Sequence, residues 1–286
     1  MQVPAQFAYE RAESVAHALA LLEKYGPEAR VVAGGHSLIP MMKLRLAQPE
    51  ALIDINGLDE LAQITVEGGE LVIGSMVRHS ELLASTVAGG HAAVFHDAER
   101  VIADPIVRNR GTIGCSLCQA DPSEDLSAVF AALRATAVIR GADGTRAVAV
   151  REFHEGPYET VVGPEELLVQ LRVPDTRGAG SAYVKVERRI GDWAVAAAAA
   201  VLRVENGLVA EAGLGLTAVG APHFCAPEAE AYLIGRAPTE ESFAEAGRIA
   251  AEHCDPQADQ RGPADYKRHL AGELTRRALV AAAERI

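Results

Sequence analysis

One stretch, from residue 102 to residue 126, constrains the chain more than any other. Gly111 and Gly114 flank Thr112 there, and Ser116 adds a second hydroxyl group. Glycine permits positive φ and lets another group approach the main chain closely. A loop with unpaired N–H groups just before a helix suits a phosphate or another electron-rich ligand. The stretch therefore predicts either a ligand-binding loop or a buried turn that holds no ligand.

A carboxylate-rich turn ends this stretch and predicts a helix start. The segment Asp121-Pro-Ser-Glu-Asp125 precedes apolar residues at helical spacing, which are Leu126, Val129, Phe130 and Leu133. Acidic and small polar residues are favoured where the first N–H groups of a helix lack partners. We therefore expect the glycine-containing loop to run through this turn into a helix.

A second glycine turn follows a short apolar run at residues 30–33. Gly34 and Gly35 lead into His36 and Ser37, which predicts a buried strand that ends in a phosphate-binding type of turn. The turn lacks the Lys and the Ser or Thr of a P-loop, and the sequence contains no G-x-G-x-x-G fingerprint. Ser37 also lacks the final glycine of a nucleophile elbow. These patterns disfavour a P-loop protein, a Rossmann dehydrogenase and a serine hydrolase.

Length and charge narrow the class of protein further. The 286 residues suffice for two domains, and a net charge of −12 disfavours nucleic acid as a partner. No apolar run reaches the roughly 18 residues that cross a bilayer, and no signal peptide is recognisable. The four cysteines do not suggest a disulfide scaffold. We expect a cytoplasmic protein without a transmembrane segment, whose only association with a membrane would come through partners.

The order of helical and strand patterns predicts an α+β fold in two domains. Residues 1–58 alternate helix and strand, which indicates a small sheet of mixed or parallel type. Residues 59–177 contain two predicted hairpins, helices and a strand at 167–173. A glycine-rich turn at 177–180 marks the predicted boundary. Residues 178–286 then predict three strands followed by three helices.

Taken in order, the motifs resemble those of the flavoprotein subunits of molybdenum hydroxylases. The pair Ala33-Gly-Gly-His-Ser37 and Thr112-Ile-Gly-Cys-Ser116 is similar to the two FAD loops of that family. The other matching segments are Ile102-Ala-Asp-Pro, Ala120-Asp-Pro, Tyr183-x-Lys185, Arg189-Ile-Gly-Asp192 and Asp259-x-Arg261-Gly. Within the family, the pattern is most similar to the medium subunit of aerobic carbon monoxide dehydrogenases.

The resemblance implies a fold and an activity. Residues 1–177 would form an FAD-binding domain of the PCMH/VAO type, with α/β subdomains at about 1–58 and 59–177, and residues 178–286 a flavoprotein C-terminal domain with a three-stranded antiparallel sheet. The chain would be an oxidoreductase subunit that passes electrons through FAD to an external acceptor such as a quinone. No side chain would need to act as a general acid or base.

The resemblance also implies partners. A small subunit would supply electrons from 2Fe–2S clusters, a large subunit would hold a molybdopterin-type cofactor, and the assembly would be a dimer of heterotrimers. The complex would oxidise carbon monoxide with water to carbon dioxide. Two alternatives stay open: a flavin subunit of a hydroxylase for N-heterocycles or aldehydes, and an assembly module that has lost FAD.

Cofactor contacts follow from the resemblance residue by residue. Backbone groups of residues 33–37 and 112–116 would hold the pyrophosphate, Asp125 would bond the cofactor, and Ile102 would pack near the flavin or adenine. Lys185 would lie near the cofactor and Trp193 near the isoalloxazine. The full predicted set is Val32, Ala33, Gly34, Gly35, His36, Ser37, Leu38, Ile102, Thr112, Ile113, Gly114, Cys115, Ser116, Asp125, Leu168, Lys185 and Trp193.

Several of these residues also allow a purely structural role. Asp125 could serve only as a helix-start carboxylate, and Trp193, the single tryptophan, could be a core residue. Arg108 and Arg110 could meet phosphate, or they could cap helices and pair with carboxylates. His36 is expected to order its loop rather than to act as a base.

Two cysteines depart from the family pattern. Cys115 stands where the family has a glycine, and a Cβ atom that limits positive φ predicts a slightly shifted loop. Cys118 completes a C-x-x-C spacing, which could indicate a redox pair or half of a zinc site. Because Cys225, Cys254, His223 and His253 form neither a second C-x-x-C nor a short His–Cys knuckle, we expect small-residue packing and no metal.

Overall fold

In the computed structural model, which describes residues 3–286, the chain forms four β-sheets and eleven α-helices. The strands are β1 (Ala8–Arg11), β2 (Ala29–Val32), β3 (Ala51–Asp54), β4 (Ile64–Glu67), β5 (Glu70–Gly74), β6 (Thr136–Gly141), β7 (Gly144–Ala149), β8 (His154–Gly156), β9 (Glu159–Thr160), β10 (Leu167–Val173), β11 (Ala179–Glu187), β12 (Ala194–Glu205) and β13 (Leu208–Thr217). The helices are α1 (Val15–Tyr25), α2 (Leu38–Lys43), α3 (His79–Ala84), α4 (Thr86–His91), α5 (Val94–Val101), α6 (Pro105–Arg108), α7 (Ile113–Gln119), α8 (Asp125–Ala132), α9 (Pro227–Leu233), α10 (Glu240–Glu252) and α11 (Ala264–Ala283).

The first sheet is parallel and delivers the first glycine turn to its carboxyl edge. Its order is β1-β3-β2, and α1 packs against it through Val15, Ala18, Leu21 and Leu22. The sequence did not predict β1, because its residues are mostly exposed and carry no apolar alternation. The predicted parallel βαβ arrangement is confirmed. Ligands commonly bind outside the carboxyl ends of parallel strands, where β2 is followed by Gly34 and Gly35.

The second sheet is antiparallel and carries the largest apolar core. Its order is β4-β5-β10-β6-β7, and both predicted hairpins are present as β4–β5 and β6–β7. One face packs against α5, α7 and α8, with Phe95 and Phe130 in contact at a ring separation of 5.5 Å. This sheet therefore supports the helices that form the second glycine-containing segment.

The third sheet, β11-β12-β13, is antiparallel and is covered on both faces. Alternate alanines of β12 face the core around α8 or the core formed by α10 and α11. Double coverage explains why residues 194–202 form a continuous apolar run without polar alternation. The predicted three-stranded sheet with helices is confirmed.

Two glycines let α8 lie directly on β13. A Cβ atom at Gly213 would lie 2.0 Å from the Ala132 carbonyl oxygen, and one at Gly215 would lie 1.9 Å from that of Ala128. Every residue of α8 is buried in this position. The contact fixes the start of α8, and thus Asp125, against the third sheet.

We predict that Gly215→Ala lowers the free energy of unfolding by about 3 kcal/mol, because the new methyl group overlaps a backbone that cannot retreat from a packed core. Gly89→Ala is the matched control, since a Cβ atom there meets nothing within 4 Å. The control should be neutral or stabilising by up to about 1 kcal/mol, because alanine is favoured inside helices. Urea denaturation measures both; equal stability of the two variants would contradict the close contact.

Candidate functional site

A cleft of about 820 Å³ opens where the two glycine-containing segments meet. This volume lies within the 300–1,000 Å³ that is usual for sites of small molecules and cofactors. Eleven predicted residues line it: Val32, Ala33, Gly35, His36, Ser37, Leu38, Thr112, Gly114, Cys115, Leu168 and Trp193. The sequence pattern thus brought together two segments that are separated by more than seventy positions.

The turn after β2 presents unpaired hydrogen-bond donors to this cleft. Gly35 has a φ of +80°, a conformation that glycine adopts without strain. Within residues 3–286, the backbone N–H groups of Gly35, His36 and Ser37 have no acceptor. Successive free N–H groups of this kind form a concave anion site. The turn is therefore suited to phosphate oxygens.

The second segment is built differently from the prediction. Instead of an open loop, α7 begins at Ile113, with Thr112 as its N-cap. The N–H groups of residues 113–116 all donate within the chain, to the Val77 carbonyl (3.0 Å), the Ser75 carbonyl (2.8 Å), the Thr112 hydroxyl (3.3 Å) and the Thr112 carbonyl (3.1 Å). The N–H groups at 113–116 are therefore not free, because the start of α7 and the segment just after β5 accept them, whereas the Thr112 N–H has no acceptor among residues 3–286.

Gly114 is required by close packing rather than by its own φ angle. A Cβ atom there would lie 2.6 Å from the Ser75 Cβ atom at the end of β5. Ser75 and Met76 line the cleft beside it, although no motif marks them in the sequence. The Ser75 hydroxyl is buried and has no hydrogen-bond partner among residues 3–286. It is a polar group that a ligand could satisfy.

Cys115 lies in α7 without a positive φ, so the predicted loop shift is absent. Cys115 and Cys118 both line the cleft. Burial raises the pKa of the half-buried Cys115 thiol, which keeps it protonated, while Cys118 is exposed at the surface. The Cys115 side chain is therefore a neutral part of the cleft wall.

Trp193 is 43% exposed and lines the cleft, so it is not a core residue. Its backbone N–H donates to Asp192 at 2.8 Å. The preceding Gly191 has a φ of +80° and packs so tightly that a Cβ atom would lie 2.7 Å from the Ala103 carbonyl oxygen. The second domain thereby extends an aromatic ring over a cleft that belongs mainly to the first.

Asp125 and Lys185 pair with each other. Lys185 Nζ lies 2.9 Å from one Asp125 oxygen, while the Tyr183 hydroxyl donates to the other. Lys185 Nζ also donates to the Val101 carbonyl at 3.2 Å, and its side chain is 1% exposed. Asp125 belongs to α8 and Lys185 to β11. The pair is a buried bridge between the two domains, and neither side chain lines the cleft.

Five of the six remaining predicted residues stand behind the cleft wall, whereas Ser116 is half-buried and lies on α7 between Thr112 and Gln119, which line the cleft. Gly34 packs against the Arg110 carbonyl, Ile102 and Ile113 belong to the core, and Ser116 contacts His79. The Arg108 side chain donates hydrogen bonds to the backbone carbonyls of Ile102 and Ala103. Further lining residues that the sequence did not reveal are Arg30, Val31, Pro40, Met41, Leu46, Ala47, Ile55, Gln119, Asp121, Tyr158, Val162, Glu166 and Leu167.

Comparison with known proteins identifies the family. Residues 5–176 match the FAD binding domain in molybdopterin dehydrogenase, and residues 181–282 match the CO dehydrogenase flavoprotein C-terminal domain. The chain belongs to this family. It is 41% identical to the carbon monoxide dehydrogenase medium chain of Hydrogenophaga pseudoflava, over 98% of each chain. The predicted family, an oxidoreductase subunit with FAD as its cofactor, is confirmed.

Solved structures support the same assignment. The fold matches a chain of a Cu,Mo-CO dehydrogenase with a TM-score of 0.96 and 40% identity, over 99% of this chain and all of that one. It also matches a chain of quinoline 2-oxidoreductase from Pseudomonas putida with a TM-score of 0.92 and 31% identity, over 99% and 98% of the two chains. Between residues 3 and 286, no helix combines the length and apolar character needed to cross a membrane.

We predict that Lys185→Met lowers the free energy of unfolding by about 3–5 kcal/mol at neutral pH, because it leaves a buried carboxylate unpaired. Burial already raises the pKa of Asp125, so this loss should shrink as the pH falls and Asp125 becomes protonated. Urea denaturation at two pH values measures this. Lys24→Met removes an exposed ion pair of similar length and should leave stability unchanged. If Lys185→Met and Lys24→Met had the same free energy of unfolding, the buried pair would not contribute to stability.

Proposed function

We propose that the chain holds FAD in the cleft and serves as the electron-transfer subunit of a carbon monoxide dehydrogenase complex. It would stand between the iron–sulfur clusters of a small partner subunit and an external acceptor such as a quinone. A large molybdenum subunit would oxidise the substrate, in a cytoplasmic dimer of heterotrimers whose contact with a membrane, where it has one, would come through partners. The observation that carries the proposal is the set of free N–H groups at residues 35–37 within a cleft of cofactor size.

The residues of the cleft fit the chemical parts of FAD. A diphosphate accepts hydrogen bonds, which the N–H groups at residues 35–37 and the Ser37 hydroxyl can donate. Ring systems need apolar walls, and Val32, Met76 and Leu168 supply them. The exposed Trp193 ring can stack on a flat ligand. When bound, FAD supplies the redox chemistry, while the chain binds and orients it.

We propose that some of the predicted residues contact FAD directly and that the others only shape the cleft. We assign direct contact to the eleven that line the cleft. Gly34, Ile102, Ile113, Asp125 and Lys185 shape the wall from behind, and the half-buried Ser116 lies at its edge. We also propose domains at 1–177 and 178–286, the first with subdomains at about 1–58 and 59–177, since the interdomain bridge joins α8 to β11 across that boundary.

The structure weakens the case for an assembly module without FAD. Its only support in the sequence was a cysteine in place of a glycine, and Cys115 lies in a helix where no glycine is needed. Quinoline, the substrate named for one structural relative, represents the N-heterocycle alternative. Since no substrate site for either compound lies in this chain on the present proposal, the substrate must be tested on the assembled complex.

Replacing Ser37 by Asp should weaken FAD binding ten- to hundredfold. Ser37 lines the cleft beside the free N–H groups, and two charges about 5 Å apart repel by about 3 kcal/mol at an effective dielectric constant near 20. Ser37→Asn is the matched control, because Asn has the same shape as Asp but no charge, and both are equally suited to a helix start. FAD titration at low and high salt should show a gap between the variants that narrows with salt. Equal FAD affinities of the two variants would contradict the proposal that the diphosphate binds at this turn.

Substrate choice can be tested on the chain purified with the subunits that accompany it. Under anaerobic conditions, carbon monoxide should bleach the flavin absorbance, whereas quinoline should not. Dithionite provides the fully reduced reference. If only quinoline or an aldehyde bleached the flavin absorbance, carbon monoxide would be the wrong substrate, but the flavin role would stand. A preparation that stays colourless after FAD is added to the intact complex would refute the flavoprotein function itself.

A further inference from the structure

A buried relay of three side chains lies directly behind the first turns of α7. His79 Nε2 is 3.0 Å from the Ser116 hydroxyl, and His79 Nδ1 is 3.0 and 3.1 Å from the two oxygens of Glu99. His79 is 4% exposed and Glu99 is fully buried. Ser116 is partly exposed, and its neighbour Cys115 lines the cleft. The relay therefore connects the core to the edge of the cofactor site.

The His79–Glu99 pair is arranged to keep a proton. Burial raises the pKa of Glu99. Burial alone would lower the pKa of His79, but the charge of Glu99, assisted by Glu124 and Asp125, raises it above its usual value. Arg108 acts on Glu99 in the opposite sense, and the nearby Cys115 thiol stays neutral.

The proton determines the direction of the Ser116 hydrogen bond. When His79 holds it, Nδ1–H donates to Glu99 and Nε2–H donates to Ser116. When Glu99 holds it, the carboxylic acid donates to Nδ1, and Nε2 again carries the hydrogen. In both arrangements the Ser116 oxygen accepts, so its own O–H must donate elsewhere. No acceptor for it occurs among residues 3–286.

We propose that His79 and Glu99 are positioning residues that turn the Ser116 hydroxyl into a hydrogen-bond donor for the anionic diphosphate of FAD. This inference rests on the proposed function. Ser116 would thereby supply a donor from α7, whose backbone N–H groups at 113–116 are already used within the chain. When the pair loses its proton at high pH, Ser116 O–H turns to His79 Nε2 and is withdrawn from the anion.

A second buried histidine, His154, shows how Glu99 changes the pKa of His79. His154 Nε2 lies 3.3 Å from the Ser127 hydroxyl and also meets the Leu117 carbonyl, but no carboxylate pairs with it. Burial lowers the pKa of His154 to about 4. Residues 3–286 thus contain two Ser–His pairs with a buried histidine, and of these two only the one with Glu99 is built to stay protonated. Ser127→Ala is therefore a matched control for Ser116→Ala.

The test is the dissociation constant of FAD between pH 5.5 and 9, measured by flavin fluorescence on the full chain with its accompanying subunits. Wild-type affinity should weaken as the pH rises through the raised pKa of His79. Ser116→Ala should bind roughly ten- to hundredfold more weakly at low pH, the range for a hydrogen bond to a charged group, and should lose this pH dependence. In Glu99→Gln the affinity should fall at a lower pH than in the wild type, because the charge of Glu99 that raises the pKa of His79 is gone.

The double variant Ser116→Ala/Glu99→Gln tests whether Glu99 affects FAD binding only through Ser116. Glu99→Gln should add nothing in the Ser116→Ala background, and Ser127→Ala should bind FAD like the wild type. FAD binding that is independent of pH in the wild type, or an undiminished affinity of Ser116→Ala, would overturn the relay while leaving the proposed function intact. These two measurements do not depend on whether Glu99→Gln folds. A wild-type complex that binds no FAD would overturn both.

Discussion

The ion pair between Asp125 and Lys185 is buried where α8 and β11 meet, and together with the packing of α8 on β13 it joins the FAD-binding part of the chain to the C-terminal part. Lys185 reaches from β11 to the first residue of α8 and also to the Val101 carbonyl at the end of α5. The segment after α5 contains Ala103, on which Gly191 rests. Lys185 therefore joins β11 to α8 and to the end of α5, and the loop that follows β11 brings Trp193 to the cleft. A charge buried this deeply is tolerated only because its partners are fixed by packing.

Much of the fold follows from local pattern, and the exceptions have physical causes. The hairpins at 64–74 and 136–149 carry their own turn residues, so the sequence predicts them directly. Strand β1 escapes prediction because it is an edge strand with exposed side chains. Helix α7 escapes because two small residues and a hydroxyl near its start are typical of loops. Tertiary contacts, in which the Ser75 and Val77 carbonyls just after β5 accept two of its N–H groups, override that propensity.

The site was predictable in its location and less so in its contacts. Motif order placed the two glycine-containing segments together, and both line the cleft. It could not show that the N–H groups at 113–116 are used within the chain while those of the turn after β2 stay free, since this depends on the path of the chain after β5. Asp125 and Lys185 stand sixty positions apart, and both resembled cofactor contacts. Burial decides otherwise: with both side chains enclosed, each satisfies the other.

A diphosphate must be accommodated by a chain whose net charge is −12. Among the described residues that line the cleft, Arg30 is the only lysine or arginine, while Asp121 and Glu166 add carboxylates. Arg146 neutralises Glu166 through two hydrogen bonds of 2.8 and 2.6 Å, and Asp121 accepts from the Ser123 N–H and the Tyr158 hydroxyl. The wall is therefore close to neutral. Recognition must then come from oriented dipoles, which is why unpaired N–H groups and the direction of a single hydroxyl group carry so much of the selectivity for an anion.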